Sequence, residues 1–386
     1  MLDTEDAGLA QTASLYASLG ARPVINAAGA LTILGGSRLS PGVREAMDAA
    51  NRSYADMKSL LETSGAIVAE MLNAEAAYIT SGAAASLTLS MAACLTLEHR
   101  GYLERLPDTD GIPNEVLVQQ NSRQKYDECL RFAGARIVKV GDGDGLTMRQ
   151  LAGAIGPNTA AVHYFAQSRS PGTPSIDAVV EAAHAAGKPV IVDAAGLTYP
   201  IDNLRRFARA GADLVCYAAK YFDGPHSTGL IVGRRDLVEL AATNGFIGFE
   251  TSGAYTIGRP MKVDRQEIFA CVFALREWLA MDHEARLAVY AADAAAILEA
   301  LRGIPGVEAY RISDIEPPTP STREGVRLVL LPGVPKTAEE VFEALRDGEP
   351  SIWVRPDGNQ VNLSVGFLND GEAEVVARRL REVLGA

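Results

Sequence analysis

A lysine at the end of an apolar run is the residue best placed to do chemistry in this chain. Lys220 closes G-A-D-L-V-C-Y-A-A-K (Gly211 to Lys220), and the stretch Asp223-Gly-Pro-His-Ser-Thr-Gly229 follows. An amine at the mouth of a buried strand sheds its proton more readily and can attack a carbonyl. Asp193 ends a second apolar run, K-P-V-I-V-D, ahead of the small residues Ala194 and Ala195, against which a flat ring fits. Y-I-T-S-G-A-A-A (Tyr78 to Ala85) reads as a strand that turns through Ser81-Gly82-Ala83 into a helix. Backbone N–H groups at such a helix start bind phosphate, and a glycine lets the chain come close to it. A phosphate cup, a carboxylate for a pyridine nitrogen and a lysine for an aldehyde are together what pyridoxal 5′-phosphate requires.

Each feature also has a plainer reading. Ser81-Gly82 can be an ordinary helix cap with a turn glycine, Asp193 a cap, and Lys220 a lysine snorkelling from a strand end. Their occurrence together, each at the carboxyl end of a strand, favours the cofactor, because ligands of open α/β sheets bind at that edge. Further candidates surround them. Gln167 and Ser168 follow V-H-Y-F-A and are placed to bond the ring oxygen, and Ser227 and Thr228 to donate to the phosphate across a subunit interface. His226 is a candidate acid or base beside the cofactor. Arg355, at the end of S-I-W-V-R, is the first candidate to pair with a substrate carboxylate, with Arg123 and Arg259 as alternatives for anionic groups. No histidine or cysteine cluster suggests a metal.

These residues need a buried sheet to hold them. Apolar strands are predicted at about 76–80, 115–119, 136–140, 159–165, 189–193, 212–218 and 228–233, most of them separated by helical patterns such as 83–98 and 176–186. Near-continuous apolar strands joined by helices indicate a mostly parallel sheet covered on both faces; 228–233 is the candidate antiparallel member. A short helix outside the core is expected within 1–22 and a surface loop at 315–323. After Gly258 the pattern shifts to a long helical stretch, 265–302, with a break near Asp282. Strands at 326–332, 351–355 and 360–365 and a helix at 372–384 follow. The expected divisions are an N-terminal arm and loop (1–40), a large α/β domain (41–258) and a small α+β domain (259–386).

The 386-residue chain carries a net charge of −12, with 48% hydrophobic and 22% charged residues. That is the profile of a globular enzyme and argues against a nucleic-acid partner. The four cysteines lie in apolar contexts without CxxC spacing and read as reduced thiols. The acidic start M-L-D-T-E-D has no apolar core segment, and no run reaches membrane-spanning length, so a cytoplasmic protein is expected.

S-G-A-A-A, V-D-A-A-G and A-D-L-V-x-x-x-x-K with G-P-x-S-T-G-L-I-V-G-R-R-D-L resemble the fold-type I pyridoxal-phosphate enzymes. More narrowly, with V-I-N-A-A-G-A-L-T and G-R-P-M-K-V, the chain from about residue 20 onward resembles the selenocysteine synthase-like family and its tRNA-independent D-glucosaminate-6-phosphate ammonia-lyase-like members. The resemblance implies that Lys220 holds the cofactor covalently, Asp193 its pyridine nitrogen and Ser81 to Ala83 its phosphate. It also implies an assembly of at least two copies. About 20 residues precede the matching region, so the tRNA-binding extension of the selenium-transferring members is not expected. Where the ammonia-lyase-like members carry Gly-His-Arg, this chain has Asn121-Ser122-Arg123. A histidine that would stack on the cofactor is missing, and Ser122 stands in its place. A-A-K-Y-F likewise replaces the commoner G-G-K. Removal of the α-proton from an amino acid or amino-sugar acid follows. Elimination heads the outcomes, ahead of racemisation or epimerisation, β-replacement, aldol cleavage and transamination. A non-catalytic cofactor-binding regulator is the alternative of another class.

Overall fold

The computed structural model describes residues 15–168, 170–315 and 324–385. Of the helix expected within 1–22, residues 15–18 are helical and the first fourteen lie outside the described residues, as does most of the loop expected at 315–323. The strands in chain order are β1 (Ile25–Asn26), β2 (Ala76–Thr80), β3 (Glu115–Gln119), β4 (Arg136–Val140), β5 (Thr159–Phe165), β6 (Val190–Asp193), β7 (Leu214–Ala218), β8 (Gly229–Gly233), β9 (Val307–Arg311), β10 (Gly325–Leu330), β11 (Ile352–Trp353), β12 (Arg355–Asp357) and β13 (Gln360–Ser364). The chain forms two compact units.

The larger unit, 37–281, is built on a seven-stranded sheet in the order β2-β8-β7-β6-β5-β3-β4. β8 runs antiparallel to both β2 and β7, and the other neighbouring pairs are parallel. The sequence pattern explains this. β6 (VIVD) and β7 (LVCYA) are buried at every residue, as strands covered on both faces must be. Helix Ala83–Thr96 is buried from Ala85 to its end, which makes it the central helix of the unit. Helix Pro41–Asn51 starts with Ser40 Oγ accepting the Val43 N–H at 3.1 Å and proline in its first turn.

The smaller unit contains the described residues up to Gly36 together with 282–385. Its four-stranded antiparallel sheet runs β12-β13-β10-β9, and β1 pairs in parallel with β11. Its own core includes Ile297, Val326, Leu328, Val361 and Leu380. The compact units divide at Met281/Asp282, not at the expected 258/259. Helix Arg265–Ala280 packs on Pro41–Asn51 and so belongs to the larger unit. Asp282 then caps the next helix through the Ala285 N–H at 3.0 Å. The expected N-terminal arm is divided as well, because β1 is a strand of the smaller unit. β9 and helix Ala338–Arg346 were not expected from the sequence.

Candidate active site

The sheet order brings the chemistry-bearing residues to one edge of the larger unit. β2, β3, β5, β6 and β7 end there, and antiparallel β8 begins there, with Gly229 opposite both Thr80 and Ala218. Asp193 at the end of β6 and the segments that carry Ser81, Ser122, Gln167 and Lys220 therefore meet at the carboxyl edge, where open α/β sheets bind ligands.

Gly82 precedes the central helix with φ 97°, a conformation that glycine adopts without the steric cost of a side chain. The N–H groups of Ala83 and its successors open the first turn. Gly229 makes the junction possible, because a Cβ there would lie 2.6 Å from the Gly82 carbonyl carbon and 2.7 Å from Ala83 N. Ser81, Gly82 and Ala83 are all partly exposed. The fourteen-residue helix behind them directs the positive end of its dipole to this turn.

Asp193 is 3% exposed and accepts Gln124 Nε2 at 3.1 Å and its own loop's Ala195 N–H at 3.1 Å. Burial pushes its carboxyl above the usual carboxylate range, against the pull of His163 and these two donors. His163, on β5, is opposite Ile191, two residues before Asp193, and so lies on the same face of the sheet. Its imidazole is pushed down by burial.

Lys220 sits on the short 3₁₀ turn Ala219–Phe222, half-buried, and burial lowers its amine below the ordinary lysine range. The turn is pinned on both sides. Phe222 is fully buried, Ala219 N donates to Thr228 O at 2.9 Å, and the Tyr221 carbonyl accepts Thr198 Oγ1 at 2.5 Å. Thr198 O in turn accepts the Trp278 indole N–H at 2.9 Å. His226 lies within the field of Lys220, and burial and that charge both hold its imidazole low.

On the loops that follow β3 and β5, Ser122 Oγ lies 2.5 Å from Ser168 Oγ, which lies 3.0 Å from Thr173 Oγ1. Gln167 Oε1 accepts the Gly196 N–H at 3.2 Å. Asn121 ties the loops together, donating to Gly143 O at 3.2 Å and Pro171 O at 3.0 Å. Thr228 turns its hydroxyl to Pro225 O at 3.0 Å and is fully buried, whereas Ser227 is exposed and donates to Glu267. Arg123 is bound to buried Asp127 at 2.6 Å and Arg259 to Glu250 at 2.7 Å. Arg355 is exposed in the smaller unit, where it opens β12 and does not end β11. Gln124 and His163 carry no motif of their own in the sequence, and the motif that contains Gly229 does not state its contact with Gly82. Only the sheet register and the loop packing reveal their parts.

A helix start, a buried carboxylate and a half-buried lysine gathered at one edge of one sheet are residues that fit pyridoxal phosphate. No protein-family model matches the chain. It is 33% identical, over 96% of its length and 98% of the relative's, to D-glucosaminate-6-phosphate ammonia lyase of Salmonella typhimurium. It is also 33% identical to a 5′-C-glycyluridine monooxygenase-decarboxylase of a Streptomyces species, over 96% and 92%. Identity to the L-seryl-tRNA(Sec) selenium transferase of Moorella thermoacetica is 26%, over 94% and 82%. A solved structure of D-glucosaminate-6-phosphate ammonia-lyase superposes with TM-score 0.82 at 30% identity, covering 96% of this chain and 98% of that one. The chain belongs to the fold-type I pyridoxal-phosphate enzymes and, within them, to the family that includes this ammonia lyase. Its cofactor is pyridoxal 5′-phosphate.

Proposed function

We propose that this enzyme removes the α-proton of an amino acid or amino-sugar acid and eliminates a β-hydroxyl, yielding a 2-keto acid and ammonia. The observation that carries the reading is Lys220, whose amine is partly desolvated and loses its proton at lower pH than an ordinary lysine. Bound pyridoxal phosphate supplies the sink for the electron pair that the departing proton leaves behind. Lys220 is the base that takes that proton. Asp193 keeps the ring nitrogen protonated, held in line by Gln124 and Ala195. Ser81 to Ala83 receive the phosphate. The Gln167 amide, anchored through its oxygen, offers Nε2 to the ring oxygen. His226, beside Lys220 and kept neutral by burial, is a base near the cofactor.

Arg355 is the choice for the substrate carboxylate, because Arg123 and Arg259 already hold carboxylates of their own. Arg355→Lys is expected to raise the substrate concentration for half-maximal turnover about tenfold or more with the cofactor absorbance unchanged. We further infer a homo-oligomer in which exposed Ser227 reaches a neighbouring site. We place the enzyme in the cytoplasm, where its four buried thiols stay reduced. No helix among the described residues is long and apolar enough to cross a membrane. Light scattering of an active monomer would refute the assembly.

The test is to incubate the loaded enzyme with D- and L-hydroxyamino acids, amino-sugar acids and their phosphates, and to measure ammonia. The Streptomyces relative's name makes a second measurement informative. Oxygen uptake and carbon dioxide release without ammonia would replace elimination by oxidative decarboxylation.

A further inference from the structure

The loops after β3 and β5 carry a chain of hydroxyls whose hydrogen bonds run in one direction. Thr173 Oγ1 lies 2.8 Å from the Ser170 carbonyl, which can only accept, so the Thr173 proton is committed there. The lone pairs of Thr173 take the Gln119 amide at 3.3 Å and Ser168 Oγ at 3.0 Å. Ser168 is therefore the donor of that pair. Its own lone pairs take the Ser170 N–H at 3.2 Å and Ser122 Oγ at 2.5 Å, which makes Ser122 the donor in turn. Gln119 does not reverse the order, because its other amide hydrogen goes to Asn121 Oδ1 at 2.6 Å. Among the described residues, Ser122 is left with no proton to give and lone pairs to offer. It is partly exposed at the carboxyl end of β3, two residues before Gln124, whose amide bonds Asp193.

We propose that Ser122 is a specificity-determining acceptor. It takes a hydrogen bond from a substrate hydroxyl or ammonium and turns away a carboxylate or phosphate at the same position. This rests on the reading of this sheet edge as the active site. An anionic oxygen set against Ser122 finds no proton to share, whereas a hydroxyl completes the chain. The same accounting leaves neither Ser122 nor Ser168 a proton for the cofactor's ring oxygen and assigns that bond to Gln167.

The test titrates enzyme reconstituted with pyridoxal phosphate with alanine, serine and aspartate in both enantiomers, following the shift of the visible band. Wild type is expected to bind serine about tenfold or more tightly than alanine or aspartate, as sites built to bond a hydroxyl do. In Ser122→Ala, serine should fall to within about twofold of alanine, since the paired acceptor is gone. Thr173→Val removes the acceptor of the Ser168 proton, lets Ser122 donate, and should narrow the gap between aspartate and serine. Thr173→Ser, which keeps the hydroxyl, should restore wild-type selectivity. The proposal is overturned if wild type binds serine no better than alanine or responds to neither. It is equally overturned if Ser122→Ala keeps the full serine preference, or if Thr173→Val keeps wild-type selectivity. A wild-type protein with no visible band, or one labelled by borohydride at a lysine other than Lys220, would instead refute the assignment of the site itself.

Discussion

On the β6–β7 side, burial and backbone bonds place Asp193 and Lys220, with Gln124 and Thr198 adding one side-chain bond each; on the β3–β5 side, Asn121, Ser122, Ser168 and Thr173 are tied by a network of side-chain hydrogen bonds. The first arrangement changes ionisation. Burial pushes the Asp193 carboxyl up and the Lys220 amine down, so both are driven toward their neutral forms. The second leaves charge alone and sets direction, because a hydroxyl has one proton to place. The proposed base and the proposed partner of the ring nitrogen sit on the buried side, and the proposed recognition of the substrate on the polar side.

The sharpest way to break this comparison is Lys220→Ala. The visible band of the bound cofactor should be lost entirely while the protein stays folded by circular dichroism. A band that survives would move the attachment to another lysine. Next is Asp193→Asn, expected to keep cofactor but lower turnover by about 10²-fold or more, since an amide cannot hold the ring nitrogen protonated. Turnover near wild type would reduce Asp193 to a structural cap.

Gly229→Ala tests the junction beneath the proposed phosphate cup. Its Cβ would sit 2.6 Å from the Gly82 carbonyl carbon, so the backbone must shift. Overpacking of this kind costs about 1–3 kcal/mol, and cofactor affinity should fall about tenfold. Unchanged affinity in equilibrium dialysis would separate the cup from the Gly229 contact. The smallest effect concerns pH. Desolvation disfavours the Lys220 ammonium, so the neutral amine accumulates at lower pH than in an ordinary lysine. The rate of cofactor attachment to cofactor-free enzyme should therefore rise with pH and level off below the ordinary lysine value of about 10.4. A midpoint at or above that value would mean that burial does not tune this amine.

The contrast extends to what was legible before the fold was known. The strands of the large sheet are continuous apolar runs, and the sequence pattern places their bounds to within two residues. β9, with the partly exposed pattern of Val307–Arg311, and the two-residue β1 were not legible, because half-exposed or very short strands carry little apolar signal. Lys220, Asp193 and Ser81 to Ala83 were legible because each ends an apolar run or opens a helix. The sequence by itself thus determined the fold class and the cofactor and pointed to the residues proposed to hold its three ends, since local burial and helix starts are written in neighbouring residues. Only the tertiary structure decided that Gln124 reaches Asp193, that His163 lies on the same face as that carboxylate, that Arg123 is spent on Asp127, and that the hydroxyl chain ends at Ser122. Those facts depend on strand order, register and the count of protons shared between separate loops, and no local pattern along the chain encodes them.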